Sequence, residues 1–416
     1  MRARNLLLLL ILGLVAFAIV DYISLSRSKP PPTVRAAGLA KSAWPKFAGN
    51  AGNTGLGVGR GATGKIKWEF QTGRTVDGSA AIGPNGTVYI WSEDGYLYAL
   101  NGKTGALVWR SLIRKYALWD KALRPNFVRM GMGVSYMSPN PAISANGLVY
   151  IGSVDGKVYA LDSKTGTQVW RFKTGDVIQS APNNGPDGTL YIASRDGKLY
   201  ALDGATGKRR WTFGARYPTF MQSSPAFDSS GTVYIGNNSG EIYSLDGATG
   251  RTKWKFSVRD MAGTLAVGPD GTVYAGVGSR KGTVYAIDGA TGRQKWASLL
   301  GDRMLSSPAI GPDGTVYAGA MTASKARLCA LDGETGMKRW EFSTGPIMPH
   351  PAIASDGTVY VSGYGQGGGK LYAIDGKTGR KKWAVSIGGG LGRSPAIGAD
   401  GTIYIGSWEG KVYAIR

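Results

Sequence analysis

The chain has 416 residues, with 65 glycines, 12 tryptophans and 21 tyrosines but one cysteine and one histidine, and its formal net charge is +22. A single cysteine excludes an intramolecular disulfide framework and a cysteine-rich zinc site, and a single histidine, His350, excludes a histidine-cluster metal centre. A hydrophobic share of 43% supports a sizeable core, so the length allows several domains or one large β domain.

The N-terminus opens with two arginines, Arg2 and Arg4, before an apolar run from Leu6 to Val20 that ends at Asp21. Cations ahead of an apolar stretch are the layout of a secretory signal or an N-terminal anchor. Ala16-Phe17-Ala18 has the small-x-small form of a cleavage site. Extension to Ile23 gives a short retained anchor instead, so residues 1–23 are read as one or the other. Both readings place the remainder outside the cytoplasm. Residues 24–43, with Pro30-Pro31-Pro32, read as an extended linker, and residues 44–60 as a lead-in cap on the domain that follows.

Residues 61–416 repeat one unit. It is clearest at Ser307-Pro308-Ala309-Ile310-Gly311-Pro312-Asp313-Gly314-Thr315-Val316-Tyr317, followed by Leu331-Asp332-Gly333-Glu334-Thr335-Gly336 and Trp340. Trp68, Trp109, Trp170, Trp211, Trp254, Trp296, Trp340 and Trp383 close successive units at spacings of 41, 61, 41, 43, 42, 44 and 43 residues. Period-2 alternation, β-branched and aromatic residues and glycine-bearing turns predict four short antiparallel strands per unit. That is the length of a propeller blade. The last unit stops after its third strand at Arg416, and Gly61–Phe70 forms an orphan fourth strand with its turn. The expectation is an all-β, eight-bladed propeller whose last blade is closed by the N-terminal strand, which removes the open edges of an incomplete ring.

The pattern Tyr-Ala-Leu/Ile-Asp-x-x-Thr-Gly-x-x-x-Trp stands at Tyr159–Trp170, Tyr200–Trp211, Tyr285–Trp296 and Tyr372–Trp383. It resembles the tryptophan-docking repeat of the PQQ-like (pyrroloquinoline-quinone-like) propeller family, over residues 61–416. That family holds both quinoprotein alcohol dehydrogenases and the non-enzymatic BamB branch. The resemblance implies that the eight closing tryptophans wedge between neighbouring blades. Trp44-Pro45-x-Phe47 with Asn53-Thr54-Gly55 resembles the lead-in often found before such propellers.

Comparison of the repeats separates two faces. The turns between strands one and two, and three and four, keep nearly constant length and form one face. The loops between strands two and three, and between blades, vary and form the other, which points to the variable face for binding. The insertion at about residues 111–137 belongs there. It interleaves Arg114, Lys115, Lys121, Arg124 and Arg129 with Tyr116, Trp119 and Phe127. Such a loop suits an acidic or amphipathic partner or lipid headgroups, or serves as a lid packed on the ring. His350 and Arg393 complete the candidate binding face. Alignment also gives a polar ring, Ser79, Asn140, Ala181, Ser224, Thr264, Ser307, His350 and Ser394, expected at the channel mouth. Three residues earlier lies an apolar ring expected in the inter-blade core.

The dehydrogenases of the family use PQQ with a calcium ion, carboxylate ligands and usually a vicinal disulfide. Cys329 stands alone, and Asp77 is the one acid close to the polar ring. The sequence therefore favours a non-catalytic scaffold with no catalytic, cofactor or metal residues. A PQQ- and Ca²⁺-dependent oxidoreductase, or a degenerate relative, is the alternative. Much of the positive charge lies on the outer strands, as at Lys208-Arg209-Arg210 and Arg380-Lys381-Lys382, where it opposes edge-to-edge aggregation. A circumferential girdle behind an export segment argues against nucleic acid. It leaves an envelope protein or an anionic polymer or lipid surface as partner, for a monomer in the periplasm or another extracytoplasmic space.

Overall fold

The computed structural model describes residues 41–42, 44–114, 140–215, 221, 223–258, 260, 262–278, 281–304, 306–322, 325–345, 350–365, 368–392 and 394–416. Second strands such as Thr87–Trp91, Leu148–Gly152 and Thr189–Ala193 are buried at every position. β-Branched and aromatic side chains there must pack on both sheet faces, because a neighbouring blade lies against each. Fourth strands such as Ile66–Gln71 and Arg209–Gly214 alternate exposed and half-buried residues, as expected where blades splay apart at the rim.

The strands form eight antiparallel sheets arranged as an eight-bladed propeller, and the described residues contain no helix. Blade 1 comprises Ala81–Ile82, Thr87–Trp91, Tyr96–Asn101 and Leu107–Leu112. Blades 2 to 7 begin on Ala142–Ile143, Asn183–Asn184, Ala226–Phe227, Ala262–Val267, Ala309–Ile310 and Ala352–Ile353. Their outer strands are Gln168–Lys173, Arg209–Gly214, Thr252–Ser257, Gln294–Gly301, Lys338–Ser343 and Lys381–Ile387. Blade 6 carries one extra short strand, Arg303–Met304, paired to Val316–Thr322. Blade 8 joins the two ends of the domain: Ala396–Ile397, Ile403–Gly406 and Lys411–Ile415 are completed by Ile66–Gln71, with Glu69 opposite Tyr413. The expected closure by the N-terminal strand is the observed one.

At seven of the eight blade joints a single carbonyl accepts from both the docking indole and a tyrosine hydroxyl. Trp170 Nε1 and the Tyr150 hydroxyl, both of blade 2, donate to Gly204 O of blade 3 at 3.0 and 2.8 Å. Trp211 and Tyr191 share Gly247 O, Trp254 and Tyr234 share Gly289 O, and Trp68 and Tyr404 share Gly102 O. At the seam, Trp383 Nε1 donates to Ala62 O and Ala62 N donates to the Tyr360 hydroxyl. The accepting turn is pre-shaped by its own side chains. Asp162 Oδ1 accepts from Lys164 N, Thr165 N and Thr165 Oγ1, and Gly166 closes the turn at φ 71°. A Cβ on Gly166 would lie 2.6 Å from the Trp109 ring, so both the backbone conformation and the indole above it require glycine.

Candidate functional site

The central channel is filled from one end by residues 44–57. This segment has no repeat pattern, but its backbone visits the blades in chain order. Trp44 O accepts from Ile82 N of blade 1, and Pro45 O from Ile143 N of blade 2. Ala51 O accepts from Asn183 Nδ2 of blade 3 and Phe227 N of blade 4. Gly52 O, Thr54 O and Gly55 O accept from Val267 N, Ile310 N and Ile353 N of blades 5, 6 and 7. Gly57 then packs on Ile397 of blade 8, which its missing Cβ would approach to 3.1 Å.

Two polar side chains knit this plug. Asn53, at φ 56°, donates Nδ2 to Ser224 O, Pro225 O and Leu265 O, spanning blades 4 and 5. Its Oδ1 accepts from Lys46 Nζ, which also donates to Phe47 O at 2.8 Å and Asn50 O at 3.3 Å. Lys46 is 0% exposed, and among the described residues no carboxylate pairs with it. Burial alone lowers its pKa to about 7. A cleft of about 600 Å³ lies beside the plug, lined by Ser42, Pro45, Leu56 and Val58 with the turn residues Pro312 and Ser355. It opens on the constant face, opposite the loops favoured by the sequence.

On the variable face, the most distinctive described residue is Trp408, in the loop between strands two and three of blade 8. It is 47% exposed. Its indole is nonetheless fixed. Nε1 donates to Asp77 Oδ1 at 3.1 Å, Trp408 N donates to Gly390 O at 2.8 Å, and Thr75 Oγ1 donates to Trp408 O at 3.0 Å. A Cβ on Gly390 would come within 2.2 Å of the ring, so the indole rests directly on glycine backbone. Asp77 is buried, and the neighbouring Val76 N donates to Ser407 O, which ties the entry to blade 1 onto blade 8. Tyr364 of adjacent blade 7 is also exposed on this face. Sequence reasoning missed Trp408. The available signal was that blades 1, 2 and 3 place Glu93, Val154 and Arg195 at the matching loop position.

The polar ring differs from its expected placement. Ser79, Ala181, Ser224 and Ser394 are buried, and several members bond around the ring rather than into the channel. Ser79 N donates to Asn140 Oδ1, Ala181 N to Ser224 Oγ and Ser224 N to Thr264 Oγ1. His350 is half-buried and its ring meets Phe47 of the plug edge-on at 6.1 Å. In the apolar ring, Val76, Ile178, Met221 and Leu391 are buried. Arg114 is half-buried at the end of blade 1. Lys115, Tyr116, Trp119, Lys121, Arg124, Phe127, Arg129 and Arg393 lie outside the described residues, as do the leader and most of the linker. Cys329 is buried in blade 6, and burial pushes its thiol up to about 11, which leaves it unreactive.

A quinone cofactor with calcium would need several converging oxygen ligands, since Ca²⁺ takes six to eight. Among the described residues no three His, Cys, Asp or Glu side chains come together. Asp77, the one acid at the mouth singled out by the sequence, is engaged by the Trp408 indole. The described residues therefore do not fit that group, and no step is derived through it.

The family model for outer membrane protein assembly factor BamB matches residues 58–117, 116–264 and 240–416. The chain belongs to the BamB family. As a BamB-family propeller it has the fold of BamB from Moraxella catarrhalis, at TM-score 0.65 and 19% identity over 85% of this chain and 99% of that one. It also shares the fold of quinohemoprotein alcohol dehydrogenase from Comamonas testosteroni, at TM-score 0.71 and 16% identity over 93% and 82%. In sequence it is 33% identical to tetrathionate hydrolase of Acidithiobacillus ferrooxidans over 114 residues, 24% of this chain and 22% of the hydrolase. It is 30% identical to the dehydrogenase subunit of quinone alcohol dehydrogenase from Gluconobacter oxydans over 118 residues, 26% of this chain and 13% of that subunit. The match thus spans less than a quarter of either relative.

Proposed function

We propose that this BamB-family propeller is a non-catalytic binding and scaffold module of the cell envelope that holds a partner protein on its variable loop face. The observation that carries the reading is Trp408, an exposed indole fixed from below by Asp77 and Gly390. Binding energy concentrates on aromatic anchors whose geometry is set before the partner arrives, because little side-chain entropy is then lost. Ser42 lies with turn residues of the constant face. Partners of the envelope, protein first and anionic polymer or lipid second, suit a chain of net charge +22, and nucleic acid does not suit an exported one.

The test is capture of envelope proteins by the full chain and by Trp408→Ala, with Met337→Ala, a substitution on the constant face, as control. The expected result is a partner retained by the wild type and the control but at least tenfold depleted by Trp408→Ala, with unchanged melting. Equal retention by all three would overturn the assignment of the loop face. The 30% identity to a quinone alcohol dehydrogenase subunit favours a second reading, a quinoprotein oxidoreductase. Titration with PQQ and Ca²⁺ separates the two. Stoichiometric binding with dye-linked oxidation of an alcohol would replace the scaffold reading.

A further inference from the structure

In six blades the residue before the docking tryptophan reaches back over the first turn of its own blade. Arg210 meets Asp187 at 2.7 Å, Lys295 meets Asp270 at 3.5 Å, Arg339 meets Asp313 at 3.5 Å and Lys67 meets Asp400 at 3.9 Å. In blades 4 and 7, Lys253 and Lys382 donate to the turn threonines Thr232 and Thr358. Blades 1 and 2 break the rule on both sides at once. The cation is replaced by Val108 and Val169, and the turn acid by Asn85 and Asn146. Loss of the acid together with its cation is a coordinated change in two adjacent blades. It removes the charge that protects an edge strand from pairing.

Blade 1 shows the consequence. Its outer strand, Leu107–Leu112, pairs on one side with Tyr96–Asn101, and among the described residues no strand pairs with its other side. Leu107, Val108 and Leu112 are 45%, 52% and 44% exposed. Its one cation, Arg110, is folded back over the Tyr96 ring at 4.8 Å, away from guard duty on the edge. Ile66 on the outer strand of blade 8 extends the apolar sector, since Trp68 of that strand packs on Gly105 of blade 1.

We infer that the outer edge of blade 1 is a strand-addition site for an extended apolar segment of another protein, flanked by acidic residues. Strand addition supplies main-chain hydrogen bonds along the free edge, and alternate apolar side chains of the guest meet Val108 and Leu112. Charge selects the guest. The strand carries Arg110 and follows Lys103 in the turn before it, on a chain of net charge +22. A second copy would bring the same cations edge to edge, whereas acidic flanks are attracted. This surface lies on the rim and is independent of whether the loop face binds.

The probe is a labelled synthetic peptide of alternating valine and threonine with two glutamates at each end, titrated into the full chain by fluorescence anisotropy. Saturable binding is expected. It should weaken at least tenfold in Val108→Lys and Leu112→Lys, and at least tenfold when alternate peptide nitrogens are methylated. Met337→Lys should leave it unchanged. Equal binding by the methylated peptide, or by the two lysine variants, overturns the inference. So does self-association by sedimentation velocity that Val108→Lys abolishes, because the guest would then be a second copy. Binding seen only after deletion of residues 115–139 would assign the edge to the chain's own insertion and likewise overturn it.

Discussion

Lys46 offers a direct measurement of how the plug is held. Its ammonium is buried among carbonyl oxygens with no counter-charge among the described residues, and burial lowers its pKa from 10.5 to about 7. The unfolded chain therefore keeps this proton between about pH 7 and 10.5 while the folded protein releases it. Stability contributed by this group must rise with pH through that window and be flat below it, where both states are charged. At about 1.36 kcal/mol per pH unit, the full shift amounts to about 4–5 kcal/mol, an upper value because the carbonyl contacts favour the charged form. Lys46→Met keeps the length and removes the titration. The variant also leaves Asn53 Oδ1 short of a donor, a cost of about 1–3 kcal/mol that does not vary with pH. The informative quantity is the difference between wild-type and variant unfolding free energies, from urea denaturation at intervals from pH 6 to 10. Tyrosines such as Tyr150, pushed up to about 12 by burial, change stability only above that range and cancel in the difference. The wild type should gain about 2–4 kcal/mol on the variant between pH 7 and 10. Parallel profiles within about 0.5 kcal/mol would show that Lys46 keeps its proton in the folded ring, which would refute the reasoning.

Three further outcomes follow from the blade joints and the channel. Trp211→Phe should cost about 1–3 kcal/mol in chemical denaturation, chiefly through lost packing, because Gly247 O still receives the Tyr191 hydroxyl. Gly166→Ala should cost about 2–4 kcal/mol, since it strains a φ of 71° and drives a methyl into the Trp109 ring, and a neutral effect on melting would contradict the turn geometry. A chain beginning at residue 58 strips the acceptors from Ile82 N, Ile143 N, Phe227 N, Val267 N, Ile310 N and Ile353 N. It should lose about 3–6 kcal/mol and show faster amide exchange at those six positions, measured by hydrogen–deuterium exchange.

The sequence made the ring legible because each blade repeats its own instructions. The tryptophan spacing, the Asp-x-x-Thr-Gly turn and the missing fourth strand at Arg416 led to eight closed blades, and Asp162 and Gly166 show why those turn residues recur. The course of residues 44–57 was not legible. It bonds through backbone carbonyls, which every residue possesses, and through Asn53 in a left-handed conformation that no periodicity announces. The polar ring was located by alignment but its direction was not. Asn140, Ser224 and Thr264 turn toward neighbouring backbone nitrogens, a choice set by inter-blade spacing rather than by residue type. Trp408 was hidden among tryptophans with structural duties. The paired loss of charge at Val108 and Asn85 became meaningful only once the structure joined other members of those two positions, as in Arg210 with Asp187.

The plug and the blades share one order, and that order has a meaning in time. Residues 44–57 are synthesised before any blade, so the carbonyls that blades 1 to 7 meet, one of them shared by blades 3 and 4, precede those blades in the chain. Without such a thread, elements far apart in sequence would have to meet at the entropic cost of closing large loops. Here the thread of residues 44–57 is a ruler against which blades 1 to 7 register in chain order. Closure of the ring by Ile66–Gln71 against Lys411–Ile415 joins segments about 340 residues apart, so it needs all eight blades to have been made.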